Sequence, residues 1–135
     1  NVIIGFVVLI ALISVVVSAV NTANTMVTSV LERTKEIGVM KAIGAKNSTI
    51  RNIFLLESSI LGFVAGVSGV ILGAALSSLA GSILKELGWG FLSPIFSWHL
   101  FAALIAFATL VGTLSGVTTA IQASHQNPVD SLRYE

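Results

Sequence analysis

Most of the side chains able to do chemistry in this sequence are gathered in one short segment. Glu32, Arg33, Lys35, Glu36, Lys41 and Lys46 lie between two long apolar stretches. Read as a helix from Glu32 to Ile43, the segment sets Glu32 against Lys35 and Arg33 against Glu36 at i, i+3. Such pairs support a helix by a few tenths of a kcal/mol each. Ile37, Val39, Met40 and Ile43 spread over more than half of that helix's circumference. A helix lying passively on lipid shows a cleaner division. The pattern suits contact on two sides, with the chain's own bundle and with another protein; a solvated connector is the plainer reading. Glu57 is the one charge within an apolar stretch, about 9 Å deeper than Arg51 if the helix is continuous. A structural ion pair with a basic residue of the charged segment and a proton relay are both open to it.

Other chemistry lacks its residues. His99 and His125 fall at opposite ends of an apolar stretch, which separates them as metal ligands, and there is no cysteine. No Ser-His-Asp arrangement is formed. Gly38 and Gly44 are separated by five residues and no Lys-Ser or Lys-Thr follows, so the loop that cradles nucleotide phosphates is missing. A net charge of +1 does not suit a nucleic-acid partner.

The elements that hold these residues are apolar. With 55% hydrophobic and 10% charged residues in 135, the chain has too few charges to cover the surface of a water-soluble globule. Residues 1–31, 58–84 and 87–129 contain no Asp, Glu, Lys or Arg. Each gap exceeds the roughly 20 residues that cross a bilayer. We expect an all-α membrane protein with three spans at about 3–29, 50–82 and 98–123, the last delayed to Trp98 by Gly88, Gly90 and Pro94. A segment over 32–49 joins the first two spans, with Gly44 ending its helix and Asn47 or Ser48 capping the next. A loop over 83–97 joins the last two spans, and a tail covers 124–135.

Arg33, Lys35, Lys41, Lys46 and Arg51 make the first connection basic, whereas the second carries only Lys85. The positive-inside rule therefore puts residues 32–49 and the tail in the cytoplasm and residue 1 outside. Trp89 and Trp98 suit the headgroup region beside the outer loop. Asn1, followed at once by an apolar stretch, suggests a piece of a longer chain.

Three stripes mark what the spans face. Ser58, Gly62, Gly66, Gly69, Gly73 and Ser77 share one side of the second span, as helices in close contact within lipid require. The first span carries a polar stripe of Ser14, Ser18, Asn21, Thr25 and Thr28, continued by Asn24. Interhelical hydrogen bonding and a hydrophilic path are both open to it. Ala102, Ala106, Thr109, Thr113, Gly116, Ala120 and Ala123 form a small-residue face on the third. We expect the glycine ladder to pack within a subunit and the polar stripe, Ser14 to Thr25, to lie near a dimer axis.

Asn24-Thr25-Met26, then Glu32-Arg33-Thr34-Lys35-Glu36-Ile37-Gly38, then Lys41-Ala42-Ile43-Gly44-Ala45, resemble the signature of FtsX-like permeases of ABC transporters. Asn127-Pro128-Val129-Asp130-Ser131-Leu132-Arg133-Tyr134-Glu135 is similar to the family's closing motif, with Asp130 and Ser131 where Glu and Ala are usual. The group includes macrolide exporters of the MacB kind and lipoprotein-releasing complexes of the LolC/LolE kind. The resemblance implies the last three of four spans in a prokaryotic cell membrane, with a large extracytoplasmic domain preceding residue 1. It also implies a second permease subunit, a homo- or heterodimer, and a cytosolic ATPase that binds ATP and magnesium, this chain binding no cofactor itself. The segment from Glu32 to Ala45 would be the coupling helix. There Glu32, Arg33, Glu36 and Lys41 would supply polar contacts, Ile37 and Met40 apolar anchors, and Gly38 and Gly44 close approach and the turn; Thr34 and Lys35 belong to the same surface. Function by mechanotransmission follows, whether for export or lipoprotein release; the alternative is a non-transport scaffold or sensor, including a regulator of cell-wall hydrolases.

Single-cysteine labelling tests the orientation. Gly90→Cys is expected to react with an impermeant thiol reagent in intact cells, and Lys46→Cys to be protected; the reverse pattern contradicts it.

Overall fold

The computed structural model describes residues 2–88 and 96–125. Four helices follow in order: α1 (Val2–Glu32), α2 (Thr34–Ala42), α3 (Asn47–Glu86) and α4 (Trp98–Ser124). Three of them, α1, α3 and α4, are long and apolar enough to cross a membrane, as the charge-free gaps predict. The expected loop over 83–97 is shortened, because α3 continues through Lys85 and Glu86 to a stop at Gly88, which has φ +85. Residues 89–95, with Trp89, Gly90 and Pro94, lie outside the described residues, as does the closing motif from Asn127 to Glu135.

The helix boundaries have local causes. Arg33 alone interrupts the path from α1 into α2, so the short helix begins at Thr34 and not at Glu32. Gly44, at φ +97, ends α2 as expected. Its N–H donates to the Lys41 carbonyl at 3.0 Å, and the next N–H, of Ala45, donates to the Met40 carbonyl at 2.9 Å. That pair of bonds satisfies two otherwise unpaired carbonyls and needs a left-handed residue at the turn. The start of α3 differs from expectation. Lys46 is its extended cap residue, and Asn47 and Ser48 lie inside the first turn, with no side-chain cap bond formed. The Lys46 carbonyl, which accepts from the N–H groups of Thr49 and Ile50, fixes that start from the backbone alone. Ser97 precedes α4 as its cap, also without a side-chain bond.

The tightest packing joins α3 and α4, which run antiparallel. A methyl group added at Gly62 would lie 2.8 Å from the Ala108 carbonyl oxygen and 3.2 Å from the Gly112 Cα. One added at Gly66 would lie 2.9 Å from the Ala108 Cβ. Toward the α2 end the same seam continues as Gly116 against Ser58. Positions 58, 62 and 66 thus meet 116, 112 and 108, each step spanning one turn, so a row of small residues on each helix fits against the other.

Two expected stripes are corrected here. Gly69 and Gly73, placed in the same ladder, have open space where a Cβ would stand. Beyond Gly66 the helices part around a groove of about 710 Å³, into which α4 brings Leu100, Phe101 and Leu104. Bulky side chains on α4 replace the small ones there, so the backbones separate. On α4, Ala102 and Ala106 are exposed, and Ala108 and Gly112 take their place in the seam.

The buried core sits at the α2 end, where Val30, Ile37, Ile50, Phe54, Ala120 and Ala123 come together with Met40 and Leu55 at their edge. Along the apolar lengths large side chains stay exposed, Val2 to Val20 on α1 among them. In lipid such side chains need no burial, because the surrounding chains are as apolar as they are. Near the charged segment water is at hand, and burying each large side chain contributes about 1.5–3 kcal/mol.

Gly62→Leu and Gly112→Leu are each expected to force the α3–α4 seam apart. Thermal unfolding in detergent should report a loss of at least about 1–3 kcal/mol, the usual range for overpacking. Gly69→Leu is expected to stay within about 0.5 kcal/mol of the parent. Equal damage at 69 would mean that the seam extends the full length of α3.

Candidate functional site

The charged segment folds as α2, and its two sides differ. Ile37 is 1% exposed and Gly38 is buried with it. Ile37 therefore belongs to the chain's own core and not to a partner surface, which corrects its expected role as an apolar anchor. Met40 is half-buried at the edge of the same core. The outward side carries Lys35 and Glu36, joined by Glu32 at the end of α1, with Val39 and Ile43 as exposed apolar residues, Ile43 at 81%. The spread of apolar residues around α2 is thus real: one part faces the bundle and another faces away from it.

The basic residues divide in the same way. Arg33, at the joint between α1 and α2, extends its guanidinium to Glu57 on α3, Nη1 to Oε2 at 3.4 Å. This is the structural pair expected for Glu57, and it replaces the i, i+3 pairing of Arg33 with Glu36. With side chains 49% and 30% exposed, the pair is open to screening. Lys41, also expected among the partner contacts, turns inward instead. Its Nζ donates to the Ser124 carbonyl at 2.7 Å, at the last residue of α4. Thr34 is tied down locally, its hydroxyl donating to the carbonyls of Val30 at 3.0 Å and Leu31 at 2.9 Å.

Three hydroxyls of the α1 polar stripe are satisfied within their own helix. Ser14 donates to the Ile10 carbonyl at 2.8 Å, Thr25 to that of Asn21 at 3.0 Å, and Thr28 to that of Asn24 at 3.1 Å. Thr22 does the same to Ser18 at 2.9 Å. These hydroxyls therefore need neither the interhelical bonds nor the hydrophilic path that the stripe left open. Ser14 and Ser18, with Thr22, line a groove of about 250 Å³ beside Gly62, Ala108 and Gly112. Asn21, Asn24 and Thr25 are exposed. The stripe is thus divided: two serines turn toward the α3–α4 seam, and the amide groups of the two asparagines lie open.

Sequence reasoning missed Gly112, Met26, Ile50 and Phe54. Gly112 could have been found, since it stands four residues before Gly116 on one side of α4. The bond from Lys41 to a main-chain oxygen on α4 left no trace in residue types. His99, in the first turn of α4, and His125, just past its last residue, stand at opposite ends of a helix about 40 Å long.

The chain is 40% identical over 130 residues to an uncharacterized ABC transporter permease of Methanocaldococcus jannaschii, covering 96% of this chain and 33% of that protein. It is 41% identical over 126 residues to the macrolide export ATP-binding/permease protein MacB of Bdellovibrio bacteriovorus, covering 93% of this chain and 18% of that protein. It is 36% identical over 126 residues to the uncharacterized ABC transporter permease YknZ of Bacillus subtilis, covering 93% and 30%. The chain thus spans a third or less of the relatives it matches. The family described as FtsX-like permease C-terminal matches residues 8–128, from within α1 to beyond the end of α4, and this multi-pass membrane chain belongs to it.

Proposed function

We propose that this chain is the membrane-spanning, non-catalytic part of an ABC transporter permease that works by mechanotransmission. In this reading α2 receives a cytosolic ATPase that binds ATP and magnesium, and the bundle carries the ATPase's movement across the membrane. The two-sided burial of α2 supports it most directly. Ile37 and Gly38 seat the helix in the core, while Glu32, Lys35, Glu36, Val39 and Ile43 form an outward surface of mixed charge with two apolar anchors. A surface of that composition, a small apolar centre with a polar rim, is how protein partners are recognised. The relatives' names, which include ABC transporter permeases and macrolide export ATP-binding/permease proteins, point the same way.

The same reading places α2 in the cytoplasm of a prokaryotic cell, with residue 1 outside and the end of α4 inside. A second permease subunit completes the assembly. The exposed amides of Asn21 and Asn24 are the polar groups of α1 best placed to meet it, because an amide that finds a partner across a helix pair in lipid adds packing specificity.

Two tests follow. In the full-length protein, Val39→Asp with Ile43→Asp is expected to weaken co-purification with the ATPase by about tenfold or more, the effect of losing about 1.4 kcal/mol at an apolar anchor. The helix content should be unchanged. Unaltered co-purification would remove α2's outward face from the docking surface. Asn21→Leu with Asn24→Leu is expected to reduce crosslinking between permease subunits while leaving the melting temperature of each within a few degrees. Unchanged crosslinking would move the subunit interface elsewhere.

A further inference from the structure

We propose that Lys41 is a positioning residue: it fastens α2 to the end of α4, so that a load on α2 reaches the α3–α4 pair directly as well as through the joint with α1. The inference rests on the reading of α2 as the docking segment and adds to it the route by which movement leaves that segment.

The geometry of the tie is specific. Ser124 is the last residue of α4, so its carbonyl has no N–H of its own helix to accept from. The Lys41 amine supplies that donor at 2.7 Å, from the last turn of α2. A cation at a helix C-terminus is also favoured by the partial negative charge there. Within the turn of α4 that precedes Ser124, Ala120 and Ala123 are fully buried in the cluster that holds Ile37 of α2. Lys41 and Ile37, four residues apart on one side of α2, therefore both engage the end of α4 and its surroundings. The other end of α2 is held as well, since Arg33 reaches Glu57 on α3. Two ties about 12 Å apart along the chain resist rotation as well as separation.

Where the load goes next depends on which helices can slip. Where Gly62 of α3 meets Gly112 of α4 the seam has almost no side chains between its backbones, and a methyl group would not fit there. By contrast, α1 packs against α4 without such a seam and is buried only at Met26 and Val30, close to its joint with α2. Its far length faces a groove of about 710 Å³ through Ala11 and Val15. A displacement of α2 therefore carries α3 and α4 as one unit, and the gap between the far ends of α1 and α4 changes.

The test uses the full-length protein with its ATPase in lipid nanodiscs and two pairs of spin labels. Ala42→Cys, on α2 outside the docking residues, with Gln122→Cys reports α2 against α4; Phe6→Cys with Leu100→Cys reports the far ends of α1 and α4. Distances are measured without nucleotide and with ATP and vanadate. With Lys41 present, the first distance is expected to hold and the second to shift. Lys41→Met is expected to broaden the first distance and reduce the shift in the second, while the ATPase still co-purifies and hydrolyses ATP. Lys41→Arg should restore both, and Lys41→Gln serves as the neutral variant if the Met variant does not fold. A neutral variant that keeps both the α2–α4 distance and the far-end shift overturns the proposal. So does one that loses the ATPase with its α2–α4 distance intact, since Lys41 would then be a partner contact. If the parent protein binds no ATPase, the docking reading fails, and the nucleotide-free α2–α4 distance still decides on the tie: broader in the neutral variant supports it, unchanged overturns it.

Discussion

In lipid, apolar side chains gain little by leaving their surroundings for a helix interface, so two helices stay together only if their packing is better than packing against acyl chains. Contact between α3 and α4 meets that condition by omitting side chains. Gly62 and Gly112 bring the two backbones within reach of each other, and Ser58, Gly66, Ala108 and Gly116 keep the approach close over about two turns. Everything else in the bundle is arranged around this pair. Because α3 and α4 converge toward the α2 end, Ile50, Phe54, Ala120 and Ala123 are brought together there and leave room for Ile37. Because they diverge at the other end, a groove opens that α1 borders without filling.

The charged segment acquires its two faces from that arrangement. A nine-residue helix does not hold its own shape in water. Here α2 is held by Ile37 in the core, by the Schellman-type turn at Gly44, and by Arg33 and Lys41 at its two ends. The residues left facing outward keep their charges and two apolar side chains. A docking surface built in this way is rigid without being large, which suits a part that must pass movement on and not absorb it.

Much of this was legible in the sequence because a few physical requirements leave few solutions. Charge-free gaps long enough to span lipid predict α1, α3 and α4, and a glycine at the only workable place predicts the end of α2. Glu57 needed a partner and the charged segment was the nearest source. Periodicity marked Gly62 and Gly66 correctly but could not separate them from Gly69 and Gly73, since the same spacing continues where α4 changes from small residues to Leu100, Phe101 and Leu104. Inward and outward residues of α2 were not distinguishable for the same kind of reason. Ile37 and Ile43 are chemically alike, and only the position of α3 and α4 makes one a core residue and the other a surface one. Bonds to main-chain atoms, such as that of Lys41 to Ser124, depend on the fold alone.

The central claim is that α2 is seated in the bundle by one face and presents the other to a partner. Thiol protection measures this directly in the full-length protein, with any cysteine outside these 135 cysteine-free residues replaced. Ile37→Cys should react slowly with a small water-soluble maleimide whether or not the ATPase is present, whereas Ile43→Cys should react quickly alone and be protected once the ATPase is bound. Equal and rapid reaction at both positions, unchanged by the ATPase, would contradict the account.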